Sequence, residues 1–462
     1  MHTLRGPASS AVVAIWLVGC GGSAGDPPLP FPDSLLAISD ATVTQLPTET
    51  PGYTHYVLRF TQPVDHADPS GPTFEQRVSL IHRDPEAPLV VYTTGYDDYL
   101  IDRPSELTQL LQANQISIEH RYFGESRPDN PDWSKLTIEQ MASDQHVIID
   151  GMHGVYHAAF ITTGASKGGM TAVYHRRFFP DDVDATVPYV APMSFGAPDP
   201  RYIAFLDTLG EQSCRDGVRA VATELLANRR AMVLSSAEAE TASDDVSYTR
   251  IAIGPAVESA IASLEWSFWQ YFGAPWCDQV PSNSAADADL WAFLNMVSPV
   301  SDNSDEGIAP YEAYYFQAYA QLGYPDSGAP YLDPYLMYSD ADYDLALPEV
   351  PIYDGGVAMH DIDDWVQNEG SELLFIYGEW DPWTGGQFEL GDATDSLRLV
   401  QARGTHGARI QRLSESDRGA ALDKLQAWTG VTPTTMSERR VGAEPALPRI
   451  PPVLLRSLRA HR

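Results

Sequence analysis

Cysteine is scarce in this chain: three in 462 residues, at no spacing that matches a metal site. Basic residues are scarce too, with 29 lysines and arginines against 63 acids and a formal net charge of −34. A surface of that sign repels phosphate, which excludes nucleic acid as a partner. The acids are spread along the chain, as on an ordinary solvated surface of a soluble extracellular protein. Glycine-rich phosphate loops are absent. His153 and His157 stand at i and i+4, but no nearby glutamate or third ligand completes a metal site, so they read as one helix face. No metal and no cofactor is expected. After the first twenty residues, no segment is long and apolar enough for a transmembrane helix.

The N-terminus carries a short positive segment with Arg5 and an apolar core from Ala11 to Val18, too short to span a bilayer stably. It ends in Leu17-Val18-Gly19-Cys20, which resembles a bacterial lipobox. Residues 1–19 are then a lipoprotein signal peptide and Cys20 a lipidated amino terminus. Residues 20–52 read as a linker, opening with a Gly-Ser spacer and the stiff Pro27-Pro28-Leu29-Pro30 run. The expected location is outside the cytoplasm, anchored to the cell envelope, with the outer membrane favoured by Gly21, or secreted. A plain signal peptide with an incidental cysteine is the alternative.

The chemistry starts at Gly164-Ala165-Ser166-Lys167-Gly168. An apolar, strand-like run enters this G-x-S-x-G and a helix-like run leaves it, the context of a nucleophile elbow. A serine hydroxyl needs a base and an orienting acid. Both come late, each past a strand-like run: Asp381 after Glu372–Gly378, and His406 after Leu397–Val400. The order Ser, Asp, His is that of α/β hydrolases, and the ends of the strands are where such sheets bind ligands. Asp381 would hold the tautomer of His406, and His406 would take the proton of Ser166. Asp381 could instead cap a helix starting at Trp383. The oxyanion hole needs two backbone N–H groups. The expectation is Lys167 and Tyr96, with Gly95 as the alternative to Tyr96. The Lys167 side chain reads as a surface or network group.

Four blocks in order, E-H-R-Y-F-G-E-S (Glu119 to Ser126), G-A-S-K-G-G-M-T (Gly164 to Thr171), Y-G-E-W-D-P-W-T-G-G (Tyr377 to Gly386) and G-T-H-G (Gly404 to Gly407), resemble the secreted bacterial prolyl tri- and tetrapeptidyl aminopeptidases. These are serine peptidases, more distantly similar to lysosomal Pro-X carboxypeptidase and dipeptidyl peptidase II. Lys167 departs from the distant relatives, which favour an aromatic residue there, and points to the bacterial branch. The resemblance implies a serine exopeptidase that releases tri- and tetrapeptides from free amino termini, with proline before the scissile bond. An esterase or lipase could use the same triad. A non-catalytic surface lipoprotein that binds peptides or glycans is a third reading, which the complete triad disfavours. An aminopeptidase must offset the desolvation of its substrate's ammonium. Glu119 and Glu125 are candidates from the first block, with Glu379, Asp97 and Asp98 also adjacent to site loops. Glu119 and Glu125 could equally be structural partners of Arg121 or Arg127.

Alternating strands and helices predict an α/β hydrolase fold: a mostly parallel sheet with helices on both faces and an inserted helical cap. Tyr56–Val64 and Phe74–His82 read as a hairpin, and buried strands follow at 88–95, 116–120, 158–165 and 185–190. The core is expected over 53–195 and 361–430. Residues 196–360 read as the cap, with helices over 201–209, 213–233, 256–272, 285–297 and 311–322. The cap is rich in aromatics, mostly core, of which a few could line a pocket for a proline ring. Cys214 and Cys277 fall in this region and could be bonded or separate thiols. Residues 431–462, with six arginines and two acids, read as a basic, Pro-rich tail.

Overall fold

The computed structural model describes residues 29–434 apart from 100, 101, 245, 327 and 344. The signal segment, Cys20 and the tail from 435 onward lie outside the described residues. Nine strands form one sheet: β1 (Ala41–Leu46), β2 (Thr54–Pro63), β3 (Thr73–His82), β4 (Leu89–Thr93), β5 (Asn114–Ile118), β6 (Phe160–Ala165), β7 (Ala185–Tyr189), β8 (Leu374–Gly378) and β9 (Leu397–Gln401). Their order is β1-β2-β3-β5-β4-β6-β7-β8-β9. The first three pairings, β1–β2, β2–β3 and β3–β5, are antiparallel, and the rest are parallel. This is the α/β hydrolase arrangement with an extra strand on one edge.

The parallel strands are apolar on both sides because helices cover both faces. Val90, Ile161, Val187 and Ile376 meet α2 (Glu106–Leu111) and α14 (Glu415–Thr429). The adjacent Val91, with Ile116 and Phe160, points the other way, onto Ile148, Ile149 and Met152 of α3 (Ile138–His153). The period of two along each strand makes this division. Helix α4 (Lys167–Phe178) packs beside α3 on that face and is buried over nearly all its length.

Two boundaries differ from those read from the sequence. The stretch taken as a linker contains α1 (Asp33–Leu36) and β1. Strand β1 is largely exposed, with Thr and Gln along it, so no apolar alternation marks it. It is held by backbone pairing to β2, from Ala41 opposite Phe60 to Leu46 opposite His55. The core boundary at 361 falls inside α13 (Val357–Asn368). That helix packs against α4, where Tyr174 contacts Met359.

Between β7 and β8 lie α5 (Arg201–Leu206), α6 (Gln212–Ala227), α7 (Arg230–Asp244), α8 (Ile253–Ala262), α9 (Leu264–Ser267), α10 (Asp287–Val297), α11 (Asp305–Ile308) and α12 (Glu312–Gln317). The helix expected over 213–233 is two, α6 and α7, parted at Asn228-Arg229. Both backbone N–H groups there return to the Glu224 carbonyl. The segment 256–272 is split into α8, α9 and a wide π turn, Phe268–Phe272. Trp266, Trp269, Tyr314, Tyr315 and Phe316 are buried in the core of this insert. Cys214 on α6 is disulfide-bonded to Cys277, with a Cα–Cα distance of 5.3 Å. The insert closes over the carboxyl ends of the strands: Trp269 packs edge-on against Trp380 with 5.7 Å between ring centroids, and Tyr96 against Tyr311, also at 5.7 Å.

Candidate active site

Strand β6 ends at Ala165 and α4 begins at Lys167, leaving one residue to make the turn. Ser166 makes it at φ 55° and ψ −125°. A side chain at positive φ is strained, and such strain persists only where the surroundings force it. Here they are tight backbone contacts. A Cβ on Gly164 would lie 2.5 Å from the Gly168 and Thr93 carbonyl oxygens, and one on Gly168 would collide with Thr93 O. Thr93 Oγ1 lies 2.6 Å from Gly168 O and 3.1 Å from Thr163 O, so its one proton joins β4 to the elbow. The hydroxyl of Ser166 is therefore raised at the N-terminus of α4.

Asp381 follows β8 and is fully buried. Its two oxygens face different partners. Oδ1 caps the short helix Pro382–Gly386 by accepting from Trp383 N at 3.1 Å, and Oδ2 lies 2.6 Å from His406 Nδ1. A carboxylate only accepts, so in the neutral ring Nδ1 carries the proton and Nε2 the lone pair. No protein group occupies Nε2 among the described residues, and Ser166 Oγ is not hydrogen-bonded to it in this structure. The ring is 2% exposed. Its backbone N–H is held by Gln270 O of the insert at 3.0 Å, and Trp383 packs beside it at 6.2 Å. Trp266 and Tyr202 complete an aromatic wall behind Trp383, at 5.3 and 6.1 Å.

The loop after β4 touches the elbow. A Cβ on Gly95 would lie 2.5 Å from Gly168 N and 2.8 Å from Lys167 C. The backbone N–H groups of Lys167 and Gly95 have no hydrogen-bond partner among the described residues, while that of Tyr96 leans on Thr94 Oγ1 at 3.3 Å. Of the two loop donors expected, Gly95 is thus the freer. The Lys167 side chain is not on the surface. It is 2% exposed, its Nζ donates to Gly95 O at 2.7 Å, and it lies 5.6 and 5.2 Å from the Tyr96 and Phe123 ring centres. Burial holds its pKa well below the usual lysine range.

Glu119 and Glu125, the candidates for the substrate's amine, both make bonds within the protein. Glu119 is 1% exposed. Its Oε1 accepts from Glu125 N at 2.8 Å, Ser126 N at 2.9 Å and Ser126 Oγ at 2.8 Å, and its Oε2 accepts from Asp98 N at 3.0 Å. Burial raises its pKa, against these bonds. Three donors thus crowd Oε1, and a single one reaches Oε2. Glu125 lies in the open, paired with Arg59 and with Arg77 at 3.3 Å. The arginines foreseen as their partners are engaged elsewhere. Arg121 makes a fully buried two-bond pair with Asp144, at 2.6 and 2.8 Å, and Arg127 reaches Glu312 at 3.2 Å. Gln270 and Asp144 carried no mark in the sequence, because their partners lie far away along the chain.

Comparison with known proteins agrees with this geometry. A family profile described as PS-10 peptidase S37 matches residues 29–449. The prolyl tri/tetrapeptidyl aminopeptidase of Streptomyces mobaraensis is 37% identical over 406 residues, covering 86% of this chain and 84% of that protein. A serine protease of Bipolaris victoriae, vicPb, is 34% identical over 106 residues, 20% of this chain and 19% of its own. Among solved structures, proline iminopeptidase of Mycobacterium smegmatis is 14% identical with a TM-score of 0.37, covering 80% of this chain and 99% of that one. A likeness of that size carries no argument about activity. The match over most of its length establishes that this chain belongs to the peptidase S37 family and is a serine hydrolase acting on peptides.

Proposed function

We propose that this chain is a serine exopeptidase that removes tri- and tetrapeptides from free amino termini, cleaving after proline. The observations that carry the chemistry are the Asp381–His406 pair with its unpartnered Nε2 and a serine raised on a strained turn at the N-terminus of α4. His406 Nε2 takes the proton of Ser166 Oγ as the oxygen attacks the carbonyl carbon. Asp381 stabilises the imidazolium that forms. The developing oxyanion is met by the N–H of Lys167 and by one N–H of the Gly95-Tyr96 loop. His406 then protonates the leaving amine, and water releases the acyl group by the same steps in reverse. Preference for proline is supported by the name of the Streptomyces relative and by the apolar wall of Trp383 and Trp266 beside His406. Residues 196–360 act as the cap that admits only chain ends. Lipidation at Cys20, supported by the L-V-G-C sequence, would hold the enzyme on the envelope. Ester hydrolysis by the same triad is the competing reading.

The test is hydrolysis of Ala-Ala-Pro-type amides, free and amino-blocked, beside nitrophenyl esters. Faster cleavage of the free-amine amides is expected, and ester cleavage alone would assign an esterase. Ser166→Ala should abolish turnover by roughly four to six orders of magnitude while leaving the melting temperature in place. More than a few per cent of residual rate would move the nucleophile elsewhere.

A further inference from the structure

A cavity of about 760 Å³ opens at the seam where the insert leaves the core and returns to it. Three segments line it: 196–198 at the start of the insert, Tyr319 and Tyr324 after α12, and 345–353 at its end, apart from Pro348. Backbone bonds join these segments. Tyr324 N donates to Gly196 O at 3.1 Å, and Asp354 N, just beyond the third segment, donates to Ala320 O at 3.0 Å. Ser166, Asp381 and His406 do not belong to the lining.

The cavity is nonetheless tied to the active site. Met193 N donates to Gly386 O at 2.6 Å, and Gly386 ends the short helix that Asp381 caps. Met193 O in turn accepts from Arg201 Nη2 at 2.6 Å and from Tyr202 Oη at 3.3 Å. Tyr202 stands in the aromatic wall behind Trp383. Gly196 follows Met193 by three residues, at most about 11 Å of Cα trace. A polypeptide whose amino-terminal residues lie at Ser166 continues outward between insert and core, and this seam lies between insert and core.

The lining selects the occupant. It holds no basic residue, and its one charged residue is Glu349, so a phosphate or a terminal carboxylate finds no partner there. Tyrosine rings, Pro198 and Pro351 make up much of the rest. Val350 and Ile352, also in the lining, are 76% and 87% exposed, so an apolar rim stands uncovered. Aromatic-lined grooves take extended proline-rich segments, whose polyproline II form is set before binding and costs little entropy. The period fits as well. An enzyme that releases tripeptides ending in proline acts repeatedly on a chain with proline at every third residue. Polyproline II has three residues per turn, so those prolines share one face. The tripeptide itself spans about 10 Å and stays with the triad. The remainder of the chain is the part that reaches the seam.

We propose that this cavity docks the downstream, proline-rich part of the substrate polypeptide, the part left behind when the tripeptide is released. This rests on the exopeptidase reading above. In the test, initial release of Ala-Ala-Pro is followed from three substrates: a small amide, a peptide with a tail of Ala-Ala-Pro repeats, and one with a Gly-Ser tail of the same length. KM for the proline-tailed peptide should be about three- to tenfold below that for the Gly-Ser-tailed one, with kcat alike. Val350→Arg and Ile352→Arg place a charge on the exposed rim. Each should remove that advantage while the small amide keeps its wild-type kcat and KM. Equal KM values for the two tails in wild type overturn the proposal, as do variants that keep the advantage or that slow the small amide equally. A dimer in sedimentation that Val350→Arg splits would give the cavity to a second copy of the chain, and overturns it too. A wild type that cleaves none of the free-amine substrates overturns the exopeptidase reading instead. Binding of the two tailed peptides to Ser166→Ala, read by fluorescence anisotropy, still judges the cavity in that case: equal affinities reject it.

Discussion

Lys167 shows what one buried side chain can cost and supply. It is one of three lysines in the chain, with Lys135 and Lys424. It follows the nucleophile directly, and no carboxylate is paired with it. Its bond to Gly95 O fixes the plane of the Gly95–Tyr96 peptide, the loop assigned to the oxyanion. Removing the donor in Lys167→Met should lower kcat about ten- to a hundredfold with little change in KM, the pattern of a lost transition-state interaction. The same substitution has a signature in stability. The folded-state pKa lies below the unfolded one, so between the two the unfolded chain binds the extra proton and stability rises with pH. Denaturation at a series of pH values should show wild type gaining on Lys167→Met by about 1.4 kcal/mol per pH unit while the amine is neutral in the fold. The gain should end near the ordinary lysine pKa. A constant difference across that range would mean that the folded amine is charged.

At the scale of elements, the block from Glu119 to Ser126 ties loops together. Glu119 joins the loop after β4, through Asp98 N, to the turn at 124–126, through Glu125 N and Ser126 N. Ser126 Oγ in turn accepts from Arg77 N of β3. Arg121 adds the buried pair with Asp144 of α3 and donates to Val64 O at 3.1 Å and Lys135 O at 2.7 Å. Glu119→Gln replaces an acceptor by a donor at a point surrounded by donors. It should cost about 2–4 kcal/mol of stability and reduce peptide and ester hydrolysis to the same extent. A selective rise in KM for free-amine peptides would return Glu119 to the role of amine ligand. The strands were legible as elements because apolar runs bounded by glycine and turn residues mark them. Strand β1 was not, since its partner β2 supplies backbone hydrogen bonds and its own side chains supply almost no burial.

At the scale of the whole molecule, no helix among the described residues is long and apolar enough to cross a membrane, and the proposed lipobox makes its own prediction. If Cys20 is acylated, expression of Cys20→Ala in a Gram-negative host should shift the protein from the salt-washed membrane fraction to the soluble fraction, because two or more acyl chains anchor where one does not. Retention of the variant on membranes would reject the lipobox. The disulfide belongs to this scale as well. It joins α6 to a short 3-10 helix, Ala274–Gln279, across 63 residues of sequence, and so braces the insert that reaches His406 through Gln270.

The sequence by itself determined the order of Ser166, Asp381 and His406, the strand-turn-helix around the nucleophile and the α/β class. Each is a local pattern: small residues at a forced turn, apolar runs at a strand's period, a chain order of chemical groups. Tertiary structure alone decided which carboxylates are free. Glu119 and Asp97 look alike in sequence, both acidic and both beside a predicted site loop. Only the fold brings three backbone N–H groups and a hydroxyl to the first and leaves the second exposed, with its own backbone N–H as donor. The same holds for Lys167, whose place beside Gly95 O depends on β4 and β6 lying side by side. Hydrogen-bond partners and desolvation arise between residues distant along the chain, and no local pattern encodes them.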